Sequence, residues 1–419
     1  MTAPGPADRR RPASAMAVPA FRRLWIAGMV SDAGDWLMFI ALPLVVLRLT
    51  GSPLGTSMAF MLALAPPVLL APLASRLVDR LPRRTVMVAA TLAQAVSLLP
   101  LLAVRDRSDL PLLFGVIVAQ ATFATFFEPA KNALLPALVG PERAMSANAL
   151  VGLNNDLGRI VGGPLGGVLL AVVGLSGVAF VDVATYLIAA ALVATLPRDR
   201  AGRAPARPGR VLRALVDPAT RAPLTVAFVA AVAQGLFVVL FVFFVTDVIN
   251  GSEADVGLLR GVQAIGAIAA GALLGVLGAR LDVVRLTILG AVGFAAITAL
   301  SWNLSFATHA VIAYGILFAI VGAPGVLLGA GLTSLLQRSS ADDRRGRTFA
   351  AFGLVQAAGQ AVGLLMAGLL QGITGTLPLL EVQAATYALA AVLAVLLLPR
   401  RPPGSRDNAR EFATAGNSS

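Results

Sequence analysis

The chain lacks cysteine, has a single histidine, and only 13% of its 419 residues are charged. Without cysteine there are no disulfides, no thiolate metal sites and no cysteine nucleophile. A single lysine, Lys131, lies in Pro129-Ala130-Lys131-Asn132, so no G-x-x-x-x-G-K-[ST] phosphate loop exists and the chain cannot hydrolyse ATP by itself. No paired His/Glu metal site is present, nor a nucleophile with a base at workable spacing. No cofactor, metal or catalytic residue is therefore implied, and energy for any work must come from an ion gradient, a substrate or a partner.

What is present is apolar: 58% of the residues are hydrophobic and the mean hydropathy is +0.84, whereas about 25% of a soluble domain is charged. A membrane helix takes about 20 apolar residues, so twelve use about 240, which leaves almost nothing for an extramembrane domain. The net charge of +12 does not point to nucleic acid, because the basic residues sit in short connections and not on one soluble face. Their near-total bias to arginine fits a GC-rich bacterial genome and carries no mechanism. Arg9, Arg10, Arg11, Arg22 and Arg23 precede an apolar run that lacks a small-residue cleavage site and is too long for a signal-peptide core, which favours an uncleaved first span.

Apolar runs predict spans at 21–48, 54–77, 84–104, 110–130, 148–173 and 176–196, then 222–246, 256–279, 284–303, 309–332, 349–373 and 378–398. Spans five and six meet over a short turn at 174–177. Basic residues accumulate in cytoplasmic loops. Alternate connections hold Arg76, Arg80, Arg83 and Arg84; Lys131 and Arg143; the arginines from Arg198 to Arg221; Arg280 and Arg285; and Arg338, Arg344, Arg345 and Arg347. Both termini are thereby expected in the cytoplasm of a bacterium, with the chain in its inner membrane. The expected organisation is a tail at 1–20, a six-helix bundle at 21–196, an Arg/Pro-rich cytoplasmic linker at 197–221, a second bundle at 222–398 and a tail at 399–419.

An internal repeat supports two halves. An offset of 201 maps Thr185 and Tyr186 onto Thr386 and Tyr387, and Gly158, Gly162, Gly167 and Gly174 onto Gly359, Gly363, Gly368 and Gly375. It also maps Leu134 and Leu135 onto Leu335 and Leu336. Parallel repeats of six spans are one of the plans of secondary transporters.

The loop after span two reads Ser75-Arg76-Leu77-Val78-Asp79-Arg80-Leu81-Pro82-Arg83-Arg84. It resembles the major facilitator signature G-x-L-a-D-r-x-G-r-[KR], with Asp79, Arg80, Arg83 and Arg84 in register, and Ser75 and Pro82 in place of its glycines. A degraded second copy, Gly278-Ala279-Arg280-Leu281-Asp282, follows span eight. The resemblance implies that Asp79 with its arginines latches the cytoplasmic side in the outward-facing state, a carboxylate being favoured beside guanidinium groups and a helix N-terminus. In span five, Gly158, Gly162, Gly163, Pro164 and Gly167 resemble the antiporter signature g-x-x-x-G-P-x-x-G-G, displaced by one residue; generic small-residue packing is the plainer reading. The segments Phe126 to Pro136, Ser31 to Asp35 and Phe180 to Asp182 are similar to the macrolide- and siderophore-exporting branch. The chain departs from drug/proton antiporters in span four, where Gln120 and Thr122 stand in place of an arginine.

Ionisable groups inside spans are costly and are functional candidates by default. Counting about 1.5 Å per residue from Leu24, Asp32 lies about 12 Å deep and Asp35 about 16 Å, close to the middle of a core about 30 Å thick. Both are proton-coupling candidates, with helix packing as the alternative. Glu128 with Lys131 and Asp156 with Arg159 have i, i+3 spacing and read as ion pairs or a cytoplasmic gate, Asp156 and Arg159 at the inner end of span five. Asp182 is placed near the outer end of span six, in a structural role, and His309 at the outer surface. Arg260 lies inside span eight; it either snorkels out to Asp255 or serves substrate or gating. Gln120, Gln234, Arg260 and Gln263, among phenylalanines such as Phe39, Phe237 and Phe241, suit a cavity for bulky, partly apolar solutes.

These features point to an all-α membrane protein of twelve helices in two pseudo-symmetric bundles. The expected function is proton-coupled efflux of amphipathic organic compounds such as antibiotics, macrolides, siderophores or other natural products. Its expected partners are protons, a small organic substrate and membrane lipids, and the chain is expected to act as a monomer. A nutrient symporter and a non-transporting membrane sensor are the alternatives.

Overall fold

The structure is a computed structural model that describes residues 14–198, 215, 217–277, 281–340 and 344–398. Most of the linker, both tails beyond those limits and the first half of the degraded signature copy, Gly278 to Arg280, lie outside the described residues.

Every long apolar run forms a helix. Span one is Pro19–Thr50, span two Pro53–Arg80, span three Arg83–Leu98 extended by a 3-10 turn to Ala103, and span four Leu110–Val139. A single helix, Ala144–Ala194, follows. Its 51 residues would reach about 77 Å at 1.5 Å per residue, more than twice the thickness of a bilayer core. It breaks at Gly174, whose φ of 71° and ψ of −176° reverse the chain, so residues 144–173 are span five and 175–194 span six. Spans seven to twelve are Pro218–Phe243, Glu253–Leu277, Val283–Asn303, Val311–Arg338, Arg345–Thr374 and Thr376–Leu397, with a π-helical turn ending span seven.

The repeat of 201 has a structural cause at this break. Gly375, equivalent to Gly174, has φ 82° and makes the same reversal between spans eleven and twelve. A Cβ disfavours such backbone, with φ positive and ψ near 180°, by about 1–3 kcal/mol, so glycine recurs where two long helices are joined without a loop.

The helices pack as two like bundles. Gly158 and Gly162 bring span five against Asp32, Ala33 and Trp36 of span one, and Gly359 and Gly363 bring span eleven against Phe228, Ala231 and Val232 of span seven. Between the bundles, Gly167 of span five meets Glu253 and Ala254 of span eight, while Gly368 of span eleven meets Leu54 and Ser57 of span two. Both sets of contacts are thus repeated about one pseudo-two-fold axis. Close approach of backbones at small residues is what holds helices together where lipid offers no hydrophobic contrast. Large apolar residues such as Leu69, Val96, Val172, Ile312 and Leu396 stay exposed on the outside, as a lipid-facing belt.

The bundles close against each other at one end only. At the end away from the arginine-rich connections, one apolar cluster joins both halves, from Leu37, Leu42 and Leu113 to Leu236, Phe244, Trp302 and Leu364. On the arginine-rich side each half has its own cluster, Phe21, Val78, Leu135 and Val193 in one and Val226, Leu328, Leu335 and Ala394 in the other. The molecule is a V that opens towards its basic connections.

Candidate functional site

The first element of the site is a hydrogen-bonded cluster inside the N-terminal bundle. Span one carries Asp35 halfway along its length, with its carboxylate in the wall of a cavity of about 310 Å³ that Phe39, Gln94, Gln120 and Tyr186 also line. Unlike its buried neighbours, Asp35 is exposed to that cavity. The Tyr186 hydroxyl, itself 2% exposed, donates a short hydrogen bond to the Asp35 carboxylate. Gln94 Nε2 donates to the same hydroxyl at 3.1 Å, and Gln120 Oε1 lies 3.1 Å from it. Gln120 Nε2 in turn donates to the Gln94 carbonyl at 2.8 Å and to Ser97 at 3.1 Å. Four spans therefore fix the surroundings of one carboxylate, and polar networks of this kind are favourable only when their members are paired.

Asp182 corrects its expected place. It does not sit at the outer end of span six but is fully buried against Gly34, next to Asp35 in span one. Thr185 donates to its Oδ1 at 2.9 Å and its Oδ2 has no partner. Asp32 lies on the same helix at the contact with Gly158, one turn nearer the open side, and is half-buried.

The second element lies between the bundles. A cavity of about 350 Å³ is walled by Trp36 and Phe39 of span one, Asp156 and Arg159 of span five, and Gln234, Arg260, Gln263, Trp302 and Gln383 of the C-terminal bundle. Phe39 belongs to the walls of both cavities. Asp156 and Arg159 pair at 2.7 Å as their spacing predicts, but on the cavity wall halfway up span five and not at its inner end. The Arg159 guanidinium lies 5.6 Å from the centre of the Trp36 ring.

Arg260 does not snorkel to Asp255, which instead caps Ser252 at 2.7 Å. It is buried, 5% exposed, with its guanidinium 4.8 Å from the ring of Phe237, 5.3 Å from Phe39 and 5.5 Å from Phe241. The apolar positions that carry these rings turn the side chain inwards, where cation–π attraction holds it. Tyr387 of span twelve donates to Gln234 Oε1 of span seven at 3.2 Å, the counterpart in the C-terminal half of the bond from Tyr186 of span six to Asp35 of span one. Trp302 Nε1 donates to Gln383 Oε1 at 3.0 Å.

The remaining candidates lie at the open end and the interface. Lys131 pairs with Glu128 at 2.5 Å and lies 5.7 Å from the centre of the Phe127 ring. Asp79 is half-buried at the end of span two and makes no ion pair among the described residues; Arg80 is exposed, Arg83 half-buried, and Arg84 donates to the Ala194 carbonyl at the end of span six. Among the described residues no ion pair of Asp79 joins the two bundles on this side. In the antiporter-like segment, Gly158 and Gly162 face span one, whereas Gly163, Pro164 and Gly167 face Gly257, Gly261 and Glu253 of span eight. That segment is thus part of the surface on which the halves meet.

Sequence reasoning found Asp35, Gln120 and Arg260 but missed Gln94, Tyr186, Tyr387 and Gln383. The Thr-Tyr repeat marked the two tyrosines, since an aromatic hydroxyl recurring in one register of two membrane helices needs a buried partner. Among the described residues no group of three or more His, Asp or Glu side chains is placed to hold a metal ion.

Comparison with known proteins agrees with this architecture. The family model described as Major Facilitator Superfamily matches residues 24–248 and 223–416. The multidrug efflux pump Tap of Mycolicibacterium fortuitum is 27% identical over 88% of this chain and 94% of its own. Macrolide efflux protein A of Streptococcus pyogenes is 23% identical over 83% and 88%. The uncharacterized MFS-type transporter YfiS of Bacillus subtilis is 30% identical, but the match spans only 41% of this chain and 40% of that protein. In fold, the inward-facing crystal structure of a bacterial homologue of the iron transporter ferroportin superposes with a TM-score of 0.72 at 17% identity, over 90% of this chain and 98% of that one. A bacterial homologue of the human lysosomal transporter Spinster, also inward-facing, gives 0.68 at 14% identity, over 90% and 96%. With both halves matched by the family model and the twelve-helix fold shared, the chain belongs to the major facilitator superfamily, as a multi-pass membrane transporter.

Proposed function

We propose that this transporter exports amphipathic organic compounds in exchange for protons, by alternating access of the central cavity. It sits in the inner membrane of a bacterium as a monomer among its lipids, with both termini cytoplasmic, and it neither converts its substrate nor binds nucleic acid. On this reading the arginine-rich side is the cytoplasm, and the V is the state that loads substrate from inside the cell.

The observation that carries the reading is the pairing of two cavities across Phe39. One is ringed by aromatic side chains and glutamines and suits a bulky, partly apolar solute. The other holds Asp35, a single carboxylate at mid-membrane depth, exposed to the cavity and gripped by Tyr186. A proton taken up by Asp35 removes the charge that the Tyr186 hydroxyl is arranged to hold, which couples its protonation to the packing of spans one and six. Tap and macrolide efflux protein A, both named as efflux proteins, support the direction.

The test is accumulation of a fluorescent hydrophobic dye in everted vesicles with an acidic lumen. The reading expects gradient-dependent uptake by the native chain and its loss in Asp35→Asn. Equal uptake by both would remove Asp35 from the mechanism, and none by either would overturn export.

A further inference from the structure

Arg260 is a buried cation without an anion. No carboxylate among the described residues lies within ion-pair distance of it, and of the five N–H donors a guanidinium carries one makes a long hydrogen bond, 3.4 Å to Gln263 Oε1. Gln263 Nε2 is buried and has no partner at all. The three rings around Arg260 attract its charge, but they accept no hydrogen bonds in the plane of the fork, and burying an ionised group without a counter-charge is costly.

The charges of the cavity wall do not cancel. Asp156 neutralises Arg159 across 2.7 Å, and Arg260 is left over, so the chamber that opens between the bundles carries one net positive charge. Arg260 lines, together with Gln263, a space also walled by Trp36, Phe294, Trp302 and Phe318. A purely structural arginine would be paired; this one presents donors and keeps its partner's place open.

We infer that the central cavity selects amphipathic organic anions, with Arg260 as the specificity-determining residue: a carboxylate or sulfonate head pairs with its guanidinium and with Gln263 Nε2, and an aromatic or alicyclic body lies against the rings. The inference rests on the cavity being the transport site, as proposed above, and names the class of solute it takes. A planar anion matches the guanidinium fork, which an ammonium does not present. The anion also supplies the counter-charge, so the loaded cavity is electrically neutral before the halves rock.

The experiment compares two fluorescent probes with nearly the same aromatic body, anilinonaphthalene sulfonate and the neutral phenylnaphthylamine. Their binding to protein in lipid nanodiscs is read by energy transfer from Trp36 and Trp302, which line the cavity. Arg260→Gln is expected to weaken the sulfonate by at least about tenfold, the loss of one charge-assisted hydrogen bond, and to leave the neutral probe within about twofold. Arg260→Lys, which keeps the charge but not the fork, is expected to fall between. An equal loss for both probes, or an unchanged sulfonate affinity, would overturn the inference. On the native chain, naphthalene sulfonate must displace the bound sulfonate probe while naphthylmethyl ammonium does not; equal displacement by both refutes anion selection without any mutation. Binding does not depend on the direction of flux. Failure here with dye export intact thus sinks the anion site alone, and loss of dye export with anion selectivity intact sinks the export reading alone.

Discussion

Arg48 and Glu253 form the ion pair that links span one to span eight at the closed end of the V, and removing it should unlock that end. The Arg48 side chain is 50% exposed and the Glu253 side chain 16%, so the pair is partly screened and is expected to contribute about 1 kcal/mol, the upper end for exposed pairs. Arg48→Gln leaves Glu253 half-enclosed with no cation, and opening lets water solvate it. A bias of about 1 kcal/mol multiplies the outward-open population about fivefold. The reporter is Ser57, buried at the same end with its hydroxyl 2.5 Å from the Leu364 carbonyl, between spans two and eleven. Because the chain has no cysteine, Ser57→Cys gives a single thiol without background, and its reaction with a membrane-impermeant maleimide measures how often that end opens. Arg48→Gln should speed labelling about fivefold, and the exchanged pair Arg48→Glu with Glu253→Arg should restore the slow rate. Labelling that is unchanged by Arg48→Gln, or still fast in the exchanged pair, would refute the ion pair as what holds that end closed.

Three further outcomes are expected. Gly375→Ala should destabilise the protein by about 1–3 kcal/mol through its backbone of positive φ and ψ near 180°, whereas Gly353→Ala, in an open helical position, should be neutral or slightly stabilising; thermal unfolding in detergent separates the two, and equal melting temperatures would refute the reversal argument. Tyr186→Phe strips Asp35, Gln94 and Gln120 of their shared hydroxyl and should slow gradient-driven dye uptake by about tenfold or more, with native-like expression as the control for folding. Gly167→Leu places a bulky side chain against Glu253 and Ala254; it should prevent closure of that end and abolish transport, and Ser57→Cys in this background should label rapidly.

The twelve spans were legible because a bilayer leaves a chain few choices. Each crossing must be an apolar helix of a set length with its backbone paired internally, and most ends observed lie within a few residues of the runs read from the sequence, although span four runs nine residues past 130 to Val139 and span ten six past 332 to Arg338. The repeat was legible for a related reason, since Gly174 and Gly375 occupy a backbone conformation that other residues resist, and Gly158, Gly162, Gly359 and Gly363 stand where two backbones touch. Asp35 was visible as a charge at mid-depth in an apolar run, which is too costly to be incidental.

The side chains each of these residues would meet were not legible. Depth along a helix can be counted, but its azimuth depends on how neighbouring helices pack, so Arg260 pointed as readily to Asp255 as to the three rings that hold it. Asp182, Tyr186 and Gln94 gather around span one from helices distant in sequence, and no local pattern encodes that meeting. The direction in which the V opens is a property of the two bundles together. By itself the sequence determined the helices, their number and their twofold plan, because those follow from solvation and backbone geometry residue by residue. Only the tertiary structure decided which carboxylate faces a cavity and which guanidinium lacks a partner, because those depend on the surfaces that non-adjacent helices bring together.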